Sequence, residues 1–154
     1  MTHLKKAIFA LALVTAPASF AADKGAQDLC RETGLLYAHY SDTGQREKFG
    51  ELFVEDGVLI TGGQPRYPAQ VITEADRQPR TTRHVVSNHI VREDDGEITG
   101  TSYFIFFFNA EVSDAALPMT GQPAAMGVYH DVYTVEDGKC KFKRREAKAT
   151  FAGR

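Results

Sequence analysis

Six consecutive residues constrain this chain more than any others: Tyr103-Phe104-Ile105-Phe106-Phe107-Phe108, inside a segment from Ile98 to Asn109 that reads as one long strand. Side chains alternate between faces along a strand. A run that is apolar at both parities therefore predicts that both faces are covered. Helices can cover one face, and a cavity or a partner subunit must cover the other. The chain has 154 residues, enough for one domain with a real core and too few for two.

The rest of the chain supplies the helices. From Asp23 to about Tyr40, Leu29, Thr33, Leu36, Tyr37 and Tyr40 recur at helical spacing and make one face. Gln45 to Phe53 reads as a second short helix and Ala69 to Asp76 as a third, with a short strand at Val58-Leu59-Ile60 and a loop at Gly62-Gly63-Gln64-Pro65 between them. The second half is β-rich. Strands are expected at Arg83–Arg92, Ile98–Asn109, Gly127–Val135 and Lys139 to about Thr150, with turns at Asp94-Asp95-Gly96 and Glu136-Asp137-Gly138. Helices first and a bent antiparallel sheet after them predict an α+β fold with the helices on one side. Such a sheet closed by about three N-terminal helices makes a cone, whose mouth is a natural ligand site.

The first residues belong to a different class. Lys5-Lys6 precedes the apolar stretch Ala7 to Val14, and Ala16-Pro17-Ala18-Ser19-Phe20-Ala21 follows. This is the profile of a secretory signal, with cleavage expected after Ala21 and the domain spanning 22–154. The apolar stretch is too short to span a bilayer, so the mature form is expected to be periplasmic or secreted, without a membrane span. Cys30 and Cys140 could pair in an oxidising compartment, or stay separate as packed thiols. No Cys/His spacing suggests zinc. A net charge of −2 leaves no footprint for nucleic acid, which needs clustered Lys and Arg. Gly62-Gly63 lacks the Lys and the strand-to-helix context of a phosphate loop. No metal and no organic cofactor are expected.

Several segments, taken in order, carry a resemblance. They are Tyr37-x-x-Tyr40-x-Asp42, Phe49-x-x-Leu52-Phe53-x-x-Asp56-Gly57, Thr82-Arg83-His84-x-x-x-Asn88-x-Ile90, and Gly127-x-Tyr129-x-Asp131 through Asp137-Gly138 to Arg145. The ordered set resembles the SnoaL-like proteins of the nuclear-transport-factor-2-like superfamily, over about Ala26 to Ala149. The resemblance implies the cone fold, frequent homodimers or homotrimers, and a dry pocket for an apolar or aromatic small molecule. It also implies cofactor-independent chemistry, since the superfamily includes scytalone dehydratase, ketosteroid isomerase, bile acid 7α-dehydratase and a hexachlorocyclohexane dehydrochlorinase.

Within that frame the candidate catalytic residues are His84, Asp42, Tyr37 and Arg145. Strict alternation places His84 on one face with Val86, Asn88 and Ile90, and puts His89 and His130 on the faces opposite His84 and Tyr129. Imidazole titrates near neutral pH, which suits a general base, and the resemblance implies this role for His84. Asp42 would accept from one imidazole nitrogen and fix its tautomer. Tyr37 would assist a leaving oxygen, and Arg145 would stabilise a developing anion. Arg144 is the alternative if the register slips by one. Tyr40, Asn88, Tyr129 and Phe107 are candidates for lining the pocket. The expected activity is a dehydratase-type lyase. An isomerase starting from the same proton abstraction, or a non-catalytic periplasmic ligand-binding or oligomerisation module, is the alternative.

Overall fold

A computed structural model describes residues 25–67, 80–110 and 121–153. In chain order the elements are α1 (Ala26–Asp42), α2 (Arg46–Glu51), β1 (Phe53–Thr61), β2 (Gln64–Arg66), β3 (Thr81–Asp94), β4 (Glu97–Asn109), β5 (Pro123–Glu136) and β6 (Lys139–Ala152). The strands form one sheet in the order β2-β1-β6-β5-β4-β3. All neighbours are antiparallel except β1 and β6, which run parallel. The α+β architecture matches the sequence expectation. The segment read as loop after Gly62-Gly63 instead forms β2, because both glycines adopt left-handed φ of 60° and 75° and turn the chain back onto β1. The expected signal segment and the expected helix at Ala69–Asp76 lie outside the described residues.

Helix α1 lies on the sheet through a face of Cys30, Thr33, Gly34, Tyr37 and Ala38, all buried. Thr33 does not leave its hydroxyl stranded: Oγ1 donates to the Cys140 carbonyl at 2.8 Å. The helix runs two residues past Tyr40, because Thr43 closes it with its backbone N–H and its hydroxyl, both on the His39 carbonyl. That extra stretch puts Asp42 on the last turn. Cys30 and Cys140 form a disulfide with Cα atoms 5.1 Å apart, tying α1 to the start of β6 across a sequence separation of 110. Constraining so long a loop in the unfolded chain stabilises the fold by about 2–5 kcal/mol. Replacing both cysteines by serine is expected to lower the unfolding free energy by that amount in a urea titration.

The β3–β4 and β5–β6 hairpins turn on Asp95-Gly96 and Asp137-Gly138, all four at φ between 50° and 80°. Two left-handed central residues match the right-handed twist of the flanking strands. A third feature escapes alternation. Ser87 pairs with Tyr103 and Ile90 with Thr101, so Asn88 and His89 together face one residue, Ser102. Asn88 takes φ 50°, a conformation that Asn tolerates better than most residues. This bulge reverses the facing of everything after it: Ile90 is 50% exposed and Val91 only 3%.

Candidate active site

Asp42 and His84 stand 42 positions apart in sequence, and α1 and β3 bring them together. His84 Nδ1 lies 2.7 Å from Asp42 Oδ1. The His84 backbone N–H donates to Oδ2 at 2.7 Å, and Thr82 Oγ1 donates to Oδ1 at 3.0 Å. Both side chains are largely buried, at 8% and 11% exposure. Burial alone would raise the Asp42 pKa. The hydrogen bonds from the His84 ring and backbone and from Thr82 outweigh it and hold the carboxyl below its ordinary range. A carboxylate can only accept, so the proton between the two groups belongs to Nδ1. That tautomer leaves Nε2 with a free lone pair, the form a general base requires. Apolar rings flank the imidazole: Phe106 stands 4.7 Å from it, and Tyr37 packs edge-on at 6.2 Å.

Beside this pair lies an aromatic cluster built around a cation. Tyr37 and Tyr129 are buried, with ring centres 5.7 Å apart, and Phe104 stacks on Tyr129 at 4.4 Å. Arg145 is fully buried, its Cζ 4.3 Å from the ring centres of Tyr37, Tyr129 and Phe142. Its Nε and Nη2 donate to the two oxygens of Asp131, each at 2.8 Å. Burial would push the guanidinium pKa down; the ion pair with Asp131 reverses this and raises it. Tyr133 Oη donates to Asp131 Oδ2 at 2.8 Å, and His89 Nε2 lies 3.3 Å from Tyr133 Oη. The one phenol proton goes to Asp131, so Nε2 carries the proton shared with Tyr133.

His89 reaches this network because of the bulge and because Gly34 leaves room; a Cβ there would run into His89 Cε1. Burial pushes the His89 pKa below the usual imidazole range, against the pull of Asp131 and with the help of Arg145 and Arg31. The fold therefore favours neutral His89. The stability this contributes is present above the unfolded imidazole pKa and is lost as pH falls through it toward the lower folded value. The thermal midpoint is expected to fall between about pH 7.5 and about pH 5.5. His89→Gln, whose amide can still donate to Tyr133, should fall less.

The SnoaL-like domain family profile matches residues 26–146. This chain belongs to the SnoaL-like family. Solved structures agree with the fold of this SnoaL-like chain. A candidate scytalone dehydratase of Novosphingobium aromaticivorans DSM 12444 superposes with a TM-score of 0.66 at 20% identity, covering 82% of this chain and 85% of that one. ActVI-ORFA of Streptomyces coelicolor gives 0.62 at 19% identity, covering 80% and 96%. The β subunit of a candidate aromatic-ring-hydroxylating dioxygenase, also from Novosphingobium aromaticivorans DSM 12444, gives 0.65 at 14% identity, covering 83% and 91%. No curated protein sequence matches.

The SnoaL-like structure gathers some of the residues singled out from the sequence and separates others. Asp42, His84, Tyr37 and Tyr129 share the inner face. Arg145, not Arg144, is the inward residue; Arg144 is exposed and pairs with Glu146 at 2.6 Å. Arg145 cannot meet a substrate anion directly, because ring faces and Asp131 enclose it. Asn88 is exposed at the bulge, off the His84 face. Phe107 faces away as well: its neighbour Phe106 pairs with His84 and touches it. Tyr40 is half-buried at the rim, under Lys48. His89 turns inward, against strict alternation, while His130 remains outward and exposed. A cleft of about 520 Å³ lies at the far end of α1 and β3, lined by Ala26, Glu93, Glu97, Ile98, Tyr133 and Lys143 among others. None of the candidate catalytic residues borders it. Among the described residues no cluster of His, Cys, Asp and Glu could hold a metal, and no helix is long and apolar enough to cross a membrane.

Proposed function

We propose that this chain is an exported, cofactor-independent lyase that carries out a dehydration-type elimination on an apolar or aromatic small molecule. The observation that carries the reading is the buried Asp42–His84 pair among aromatic rings. His84 Nε2 takes a proton from a carbon made acidic by a neighbouring carbonyl. Asp42 holds the ring and stabilises the imidazolium as it forms. The C–O bond then breaks, a C=C bond forms, and the imidazolium gives its proton to the departing hydroxide, so that one water leaves and His84 is neutral again. Surrounding rings keep water away and strengthen each of these electrostatic contacts. The fold shared with the candidate scytalone dehydratase supports this class of reaction without identifying the substrate. The test is incubation with hydroxylated aromatic ketones and mass analysis of the products. Loss of one water supports elimination. An unchanged mass with a moved double bond makes the protein an isomerase instead, and binding without turnover makes it a carrier.

Export and assembly belong to the same proposal. The basic-then-apolar start of the chain and the Cys30–Cys140 disulfide suit the periplasm or the exterior. On the face of the sheet opposite His84, Val85, Ile105, Met126 and Phe151 pair across four strands in one apolar row. Val85, Met126 and Phe151 are 50%, 41% and 64% exposed. An apolar row of this kind suits a second copy of the chain, as a homodimer or homotrimer. Met126→Lys is expected to convert the oligomer to monomer in sedimentation velocity. Wild-type protein that is monomeric at high concentration would remove this part of the proposal.

A further inference from the structure

Three donors hold the Asp42 carboxylate, and two residues of β3 supply them all. His84 gives its ring and its backbone N–H, and Thr82 gives a hydroxyl. A two-residue spacing puts the Thr82 and His84 side chains on one face of the strand. The hydroxyl and the imidazole therefore reach the same oxygen, Oδ1, at 3.0 Å and 2.7 Å. Thr82 is only 5% exposed, so its hydroxyl has little access to solvent as a competing partner. A carboxylate can only accept, which makes the hydroxyl the donor.

Asp42 is badly placed for an anion. Burial works against its charge, and so does its position in the last turn of α1, at the negative end of the helix dipole. A carboxyl that picked up a proton could no longer fix the tautomer of the ring. The hydrogen bonds from His84, and after them the one from Thr82, offset both penalties and hold the carboxyl below its ordinary range. They also orient it. The backbone N–H anchors Oδ2. Hydroxyl and ring then occupy both lone pairs of Oδ1, which sets the plane of the carboxylate and the line along which the imidazole N–H lies.

We propose that Thr82 is a positioning residue, whose hydroxyl fixes the Asp42 carboxylate as the acceptor for Nδ1 and so keeps Nε2 of His84 free and aimed as the base. This inference rests on the lyase reading and deepens it by adding a residue that acts through Asp42. Thr82 gives up no proton in the reaction. When His84 becomes imidazolium, the hydroxyl still shares the charge of Oδ1, and the Nδ1 proton stays on the ring instead of crossing to the carboxylate.

The experiment uses the full mature chain and compares Thr82→Val, Thr82→Ser, Asp42→Asn and the pair Thr82→Val with Asp42→Asn against wild type. Valine keeps the shape of threonine and deletes the donor, while serine keeps the donor and deletes a methyl. With an aromatic β-hydroxy ketone as the probe, Thr82→Val is expected to lose about tenfold in kcat, the worth of one hydrogen bond to a charged group. Its KM should hardly change. Thr82→Ser should stay within about threefold of wild type, because the hydrogen bond survives. In the Asp42→Asn background, valine should cost less than about twofold more, because both changes act through one group. A second readout needs no substrate. Carbon-13 titration of the Asp42 side-chain carboxyl should move to higher pH in Thr82→Val and hold its place in Thr82→Ser. His84→Ala, assayed beside them, tests the base by itself. An Asp42 titration unmoved by valine would overturn the proposal even if the ketone is never turned over. Full turnover in Thr82→Val where His84→Ala is inactive would overturn it too, as would an undiminished tenfold loss in the Asp42→Asn background.

Discussion

His84→Ala is expected to reduce turnover by about 10²–10⁴-fold, the range a positioned general base contributes, while the protein stays folded. The reason for the second half is local. The Asp42 carboxylate keeps its hydrogen bonds from the residue-84 backbone N–H and from Thr82 when the imidazole is gone. Asp42→Asn tests the partner from the other side. An amide offers one acceptor where the site presents three donors, and its NH2 must face one of them, the ring N–H, the backbone N–H or the Thr82 hydroxyl. The imidazole then loses the partner that fixes its tautomer, and a comparable loss of kcat is expected by analogy with other His–carboxylate pairs. Stability carries a separate signature. The folded Asp42 pKa lies below its unfolded value, so its contribution is present above the ordinary carboxylate range. It is lost as pH falls through the lower folded value. Far-ultraviolet circular dichroism and kcat, measured on the same samples, separate a lost base from a lost fold.

The largest effect on stability is expected at Asp131. Asp131→Ala leaves the Arg145 guanidinium charged, fully buried and without a counter-ion. Breaking a buried pair from one side costs about 3–5 kcal/mol, a large share of the 5–15 kcal/mol that holds a typical domain together. The cost is mainly desolvation of an unpaired charge, not the worth of the contact. Removing both charges should therefore restore what the single change loses. Asp131→Leu with Arg145→Met, in a site already walled by Tyr37, Tyr129 and Phe142, is expected to unfold within about 1–2 kcal/mol of wild type or above it. Urea titrations of the single and double variants decide the point. An Asp131→Ala protein as stable as wild type would mean that water reaches Arg145 in solution.

The sequence carried much of this architecture because alternation and turn chemistry are local. Tyr129, Asp131 and Tyr133 fall on one face of β5 at two-residue spacing, with His130 outward between them. Asp95-Gly96 and Asp137-Gly138 announce their hairpins directly. The aromatic run implied two covered faces, but with rings at both parities it could not say which ring faces His84. Only the pairing of His84 with Phe106 settles that. Alternation also misplaced Asn88, Ile90 and His89, since a bulge is a backbone event with no mark in the hydrophobic pattern. The Arg145–Asp131 pair was readable as two charges and not as a buried pair, because burial depends on rings contributed by α1, β5 and β6 together. Its nearest signal was the Tyr129-x-Asp131-x-Tyr133 spacing itself.

The proposed chemistry needs one tautomer of the His84 ring, and nitrogen-15 spectroscopy of the histidine side chains in the full mature protein reads it directly. At mildly alkaline pH, His84 is expected to show a protonated Nδ1 and an unprotonated Nε2, and Asp42→Asn should abolish that preference. A wild-type His84 carrying its proton on Nε2, or exchanging between both tautomers as a free imidazole does, would contradict it.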